Sequence, residues 1–86
     1  MIVGLNRIFP HAGKDYHLQV EDLGFETAVF DVRVYDGGSL IWHKRVSYAD
    51  LAQRALPREE AERELRALME KTLHTLEAAV VKGKLP

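Results

Sequence analysis

Two histidines and one aspartate are the residues whose types most readily suggest chemistry. His17, Asp31 and His43 lie in three successive segments with the alternating pattern of β-strands. If the strands pair as their apolar residues suggest, the three side chains form one row with Asp31 at its centre. Adjacent strands lie about 4.8 Å apart, so imidazole and carboxylate can meet there. Such a set binds zinc or non-haem iron, and it can also transfer protons.

A structural role for these three residues is the leading interpretation. A row on an open sheet supplies little of the convergence and shielding that a metal centre needs, and cross-strand pairs of His and Asp are ordinary there. Metal binding and acid–base catalysis are the alternatives. The sequence contains no cysteine, no glycine-rich phosphate loop and no nucleophile elbow. We therefore expect no cofactor, and the sequence leans away from an enzyme.

The strands that position these residues are predicted from residues 1–48, which alternate with period two. A three-residue loop over 36–38 opposes Val32 to Trp42. A tight connection between the second and third strands opposes Leu18 to Phe30. Both registers agree on one core face, which holds Tyr16, Leu18, Val20, Phe30, Val32, Val34, Leu40 and Trp42. The first strand has apolar residues on both faces, so its register stays open.

Apolar residues after position 57 recur with the 3.6-residue period of an amphipathic helix. Pro57 suits the first helical position, acidic residues follow in the first turn, and Gly83 suits the end. We predict one α+β domain, an antiparallel four-stranded meander with one long C-terminal helix packed on one face. Its expected parts are the sheet at about 2–48, a connecting turn at 49–56 and the helix at about 57–82.

Composition narrows the classes of partner. The chain has 86 residues, 47% of them hydrophobic and 29% charged, with a formal net charge of −1. Without a basic excess, the composition argues against nucleic acid as a partner. No apolar run approaches the ~20 residues that cross a bilayer, and no signal peptide is recognisable, so we expect no membrane contact and a cytoplasmic location.

The sheet face opposite the helix is expected to be more apolar than a fully wetted face. Val29, Ile41 and Tyr35 give it this character, and the candidate interface residues on this face are Val29, Arg33, Tyr35 and Ile41. A chain this short has a small core, and self-association is a common remedy. We therefore expect a non-enzymatic interaction or assembly module, a homodimer formed through the sheet face or edge, with an unidentified protein partner also possible. A small RNA-binding regulatory module is a further alternative.

Three segments carry a resemblance to a known family. They read Y-H-L-Q-V-E-D-L-G at 16–24, D-G-G at 36–38 and S-Y-A-D-L at 47–51. Followed by a long helix, this pattern resembles a small bacterial domain family to which no function is assigned, and it spans 14 to about 83. The resemblance implies no catalytic residues. It implies one coherent polar strand, formed by His17, Gln19, Glu21 and Asp22.

Overall fold

The computed structural model describes residues 4–85, and it contains four strands followed by two helices. The elements are β1 Gly4–His11, β2 Lys14–Asp22, β3 Val29–Asp36, β4 Ser39–Ser47, α1 Ala49–Gln53 and α2 Arg58–Lys82. The strands form one antiparallel sheet in the order β1-β2-β3-β4. The predicted α+β meander with its C-terminal helix is therefore confirmed. The expected start of the first strand at Ile2 lies outside the described residues.

The core lies between α2 and one face of the sheet. Its buried members from the strands are Leu18, Val20, Phe30, Val32 and Val34, and those from α2 are Leu65, Met69, Leu73 and Leu76. Tyr16 and Trp42 are partly buried against this cluster. Each fully buried large apolar side chain contributes roughly 1.5–3 kcal/mol relative to exposure. The predicted core face is correct in all its members except Leu40.

The helix ends largely where the sequence predicts. Pro57 precedes α2 in an extended conformation, with ψ 144°, so it is the capping residue rather than the first helical one. At the other end Gly83 takes a left-handed conformation with φ 65°, and the Lys84 N–H donates to the Ala79 carbonyl at 2.8 Å. This geometry satisfies carbonyls that the last helical turn leaves free.

The predicted register between β2 and β3 is wrong by four residues. Leu18 pairs with Val34, not Phe30. The connection is a wide loop over 23–28 and not a tight turn. At its start the Asp22 carboxylate accepts a hydrogen bond from the Gly24 N–H at 3.0 Å. At its end the Ala28 N–H donates to the Gly24 carbonyl at 2.8 Å. An even shift keeps each side chain on its face, so the core was predicted correctly from a wrong register.

The register between β3 and β4 is also wrong, by two residues over most of its length. Gly37 and Gly38 alone form the turn, with φ of 58° and 85°, as a two-residue hairpin turn with two positive φ angles requires. An irregularity follows between Val34 and Tyr35, so Val34 pairs with Trp42 while Tyr35 pairs with Leu40. Leu40 therefore lies on the face away from α2.

The irregularity between Val34 and Tyr35 is a β-bulge in β4, and Ile41 is its extra residue. It lines a shallow groove on the helix side with Tyr16, Val80 and Leu85. The sequence predicted the opposite placement, with Leu40 in the core and Ile41 on the other face. A bulge inserts one residue into one strand and so exchanges the faces of the residues before it.

Tyr48 ties the end of the sheet to the wide loop. Its ring stacks on Phe30 with centroids 6.1 Å apart and meets the edge of Phe25 at 5.5 Å. Its hydroxyl donates to Asp22 Oδ1 at 2.5 Å, and its N–H donates to the Ala28 carbonyl at 2.8 Å. Burial, together with the bond to Asp22, raises the pKa of the Tyr48 hydroxyl.

An ion cluster joins α2 to β1. Arg7 shares the core face with Leu18, its pairing partner. Its Nη2 lies 3.0 Å from Glu70 Oε2, and its Nη1 lies 3.2 Å from both carboxylate oxygens of Glu77. The cluster is half-buried, which makes it more effective than an exposed ion pair. It fixes the helix over the edge of the sheet.

Removal of the Tyr48 hydroxyl should make the free energy of unfolding depend less on pH in the alkaline range. Because the folded pKa exceeds the unfolded value of about 10, the unfolded chain loses its proton first, and the free energy of unfolding falls above that pH. We expect Tyr48→Phe to lose about 1–3 kcal/mol at neutral pH and to decline less steeply above it. Urea melts across this pH range measure both quantities.

The matched control is Tyr16→Phe, a partly buried tyrosine on the same sheet face. It should keep the alkaline decline of the parent chain. If Tyr48→Phe declined as steeply as the parent, ionisation of Tyr48 would not be the cause.

Candidate functional site

The face of the sheet away from α2, which we call the open face, carries a row of largely apolar side chains. Ile8 pairs with His17, His17 with Tyr35, and Tyr35 with Leu40, so the four residues cross all four strands. We call them the apolar row. Ile8 is 60% exposed and Leu40 is 52% exposed, at the two ends of the row. An antiparallel sheet with one wetted face normally presents polar residues there.

The middle of the apolar row is formed by two rings. The centroids of His17 and Tyr35 lie 6.0 Å apart, with the ring planes inclined by 41°. The His17 Nε2 lies 3.2 Å from Asn6 Oδ1, which directs the imidazole along the sheet. Beside the rings is a hollow of ≈ 350 Å³, where Gly37 and Gly38 supply no side chain. The row is therefore uneven, with a depression at its hairpin end.

A second group on the open face, which we call the Asp31 cluster, is ionic. Asp31 Oδ2 accepts from Arg33 Nη2 at 3.0 Å, and Oδ1 accepts from Arg45 Nε at 3.1 Å. The Asp31 side chain is only 5% exposed although it lies on the open face, because the two guanidinium groups cover it. Charge-assisted bonds of this kind stabilise a carboxylate that would otherwise be costly to desolvate.

Two further residues border the Asp31 cluster. The His43 Nε2 lies 3.5 Å from Asp31 Oδ1, and Glu21 Oε1 lies 3.7 Å from Arg33 Nη1. Glu21 and Arg45 are the direct cross-strand neighbours of Asp31. The two carboxylates and two guanidinium groups balance in charge. The cluster is satisfied within the chain.

The structure does not bring together the three residues of the predicted metal or acid–base row. His43 is near Asp31, but His17 pairs with Tyr35, four residues along β3 and so about 13 Å from Asp31. The cause is that β2 and β3 pair in a register four residues away from the predicted one. Within residues 4–85 no group of three or more His, Cys, Asp or Glu side chains is placed to hold a metal ion.

The predicted interface residues divide in the same way. Val29, Arg33 and Tyr35 lie on the open face, as the sequence indicated, whereas Ile41 faces the helix side. Sequence reasoning placed Leu40 on the wrong face, because the bulge that moves it leaves no mark in composition. The adjacent glycines indicate the turn but not the bulge, since Gly-Gly fits a two-residue turn as well as the predicted three-residue loop.

Loss of the Asp31 carboxylate should destabilise the fold more than loss of an exposed one. We expect Asp31→Ala to lower the free energy of unfolding by about 1–3 kcal/mol, because Arg33 and Arg45 are left close together without their shared acceptor. Added salt should reduce the difference by screening that repulsion. Denaturant titrations at low and high salt measure it.

The control is Asp15→Ala, which removes an exposed carboxylate from the same face and should change stability by less than about 0.5 kcal/mol. Equal effects of the two substitutions would mean that the Asp31 cluster contributes nothing beyond an ordinary surface charge.

Comparison with known proteins supplies no family for this chain. No family model matches it, and no curated protein and no solved structure matches it significantly. Among residues 4–85, no helix combines the length and apolar character that a membrane span requires.

Proposed function

We propose that the chain is a non-enzymatic assembly module that forms a homodimer through its open face. The observation that carries this proposal is the apolar row, since two of its four members are large aliphatic side chains more than half exposed to water. The row lies on the face that α2 leaves uncovered. A second copy presents the same row, so one surface serves both partners, as in most homodimers.

Burial of the row supplies a driving force. Covering the exposed parts of Ile8 and Leu40 removes apolar surface from water at roughly 25 cal/mol per Å², about 1 kcal/mol or more for each side chain. The rings of His17 and Tyr35 add contact area at little cost in side-chain entropy. Ile8 and Leu40 lie on one face of the sheet, so a single contact can cover both side chains.

The strand edges are less suited to pairing than the open face. β1 contains Pro10, which has no N–H to donate, and β4 is distorted by the bulge at Ile41. β4 also carries the charged Lys44 and Arg45 next to its free edge. Proline, bulges and charged side chains are common devices that prevent edge-to-edge association. We therefore place the interface on the face.

The alternative functions have less support from the same surface. A metal bound at Asp31 would have to displace Arg33 or Arg45, both of which occupy carboxylate oxygens. Phosphates of RNA would compete with the same carboxylate for these guanidinium groups. Tyr35 and His17 offer stacking surfaces, but the guanidinium groups of Arg33 and Arg45 on the same face are already bound to Asp31, so the electrostatic part of RNA binding is weak.

A charge placed in the apolar row should weaken self-association. We expect the parent chain to show a concentration-dependent dimer in sedimentation equilibrium at high micromolar concentration. Leu40→Glu and Ile8→Glu should each raise the dissociation constant at least about tenfold, because each places two carboxylates in the interface.

Val81→Glu is the matched control, because Val81 is 53% exposed but lies on α2, away from the open face. It should leave the dissociation constant unchanged. A strictly monomeric parent chain would contradict the proposal, and so would a dimer that Val81→Glu weakens as much as Leu40→Glu does.

A further inference from the structure

The side chains of the open face lie in five parallel rows across the strands. From the hairpin end they are a short row that includes Pro10 and Asp15, then the apolar row, then Asn6, Gln19, Arg33 and His43, then Gly4, Glu21, Asp31 and Arg45, and finally Val29 and Ser47. The apolar row is thus close to the hairpin end, with one short row on that side and the longer polar rows on the other. This asymmetry limits how two copies can meet.

We propose that two copies pack face to face about a two-fold axis that runs along the apolar row. This inference rests on the proposed homodimer and specifies its geometry. Strands of one copy then lie over the same strands of the second copy in the reverse direction. Ile8 faces Ile8 of the second copy, and Leu40 faces Leu40 of the second copy.

The alternative two-fold axis runs parallel to the strands. It stacks the Asp31 cluster on the same cluster of the second copy and places Glu21 over Asp31. Both are carboxylates, and desolvation of charged groups is costly even when they are paired. With the axis along the apolar row, Asp31 and Arg45 instead project past the β3–β4 hairpin of the second copy and stay at the wet rim.

The rows on either side of the apolar row are complementary. Rotation about the proposed axis brings Asp15, an exposed carboxylate, over Gln19 and towards Arg33 of the second copy. It also places Arg33 opposite the hollow at Gly37 and Gly38, so the guanidinium that is bound to Asp31 meets no side chain from those two positions of the second copy. Opposite charges and a projection facing a hollow favour this register over its alternatives.

The expected contact area indicates a weak dimer. Three rows spaced by about 6.7 Å along four strands spaced by about 4.8 Å overlap over roughly 400 Å² of each sheet. The total of about 800 Å² lies below the usual range for stable complexes, and at the size of transient ones. The dimer should therefore form at high micromolar rather than nanomolar concentration.

Single cysteines can identify the axis, because the natural sequence has none. We expect Leu40→Cys and Ile8→Cys each to cross-link to itself with a short bismaleimide, whose length suits two sheets about 10 Å apart. Val81→Cys, similarly exposed on α2, measures cross-linking by random collision. Both row variants should give a cross-linked fraction several times that of Val81→Cys.

The outcomes separate this inference from the proposed function. If neither variant cross-links to itself but an equimolar mixture of Ile8→Cys and Leu40→Cys does, the axis runs along the strands. In that case the homodimer stands and the inference is overturned. Cross-linking of Leu40→Cys alone would indicate pairing through the β4 edge and would also overturn it. A chain that stays monomeric in sedimentation at high micromolar concentration would remove both.

Discussion

One helix cannot cover both faces of a four-stranded sheet, and this limit determines which strand side chains stay exposed to water. α2 and the sheet share one core, in which Leu18, Phe30 and Leu65 are fully buried. Strand side chains alternate between faces, so every residue between two core positions is directed to the uncovered side. The open face is therefore fixed by the same alternation that builds the core.

The open face has two regions that differ in how well their side chains are shielded from water. Around Asp31 the shielding comes from the same chain, since Arg33 and Arg45 bind both carboxylate oxygens and bury them. In the apolar row, Ile8 and Leu40 remain in contact with water. The first region is complete within one chain, whereas the second leaves apolar side chains in contact with water. This contrast underlies the proposed assembly function.

Fold class and face assignment followed from the sequence because they depend on periodicity alone. Phe30, Val32 and Trp42 lie on the predicted side even though both predicted registers were wrong. Registers depend on loop geometry instead. The wide loop after Asp22 is stabilised by Tyr48, a residue 26 positions away, and no local pattern encodes that contact.

The predicted row of His17, Asp31 and His43 depends on the exact strand register, whereas the predicted fold depends only on which face each side chain occupies. A four-residue shift leaves the core unchanged but moves His17 away from Asp31 and next to Tyr35. The bulge at Ile41 likewise added Leu40 to the open face. The ion cluster of Arg7 was missed because its partners lie on a distant helix.

Chemical-shift perturbation of isotope-labelled protein as a function of concentration tests the central claim most directly. Nothing is mutated, and every strand and helix is observed at once. We predict that the chemical shifts of Ile8, His17, Tyr35 and Leu40 change together with concentration, while those of Arg45 and the outer side of α2 stay constant. Changes centred on α2, on the Asp31 cluster or along one edge strand would contradict it.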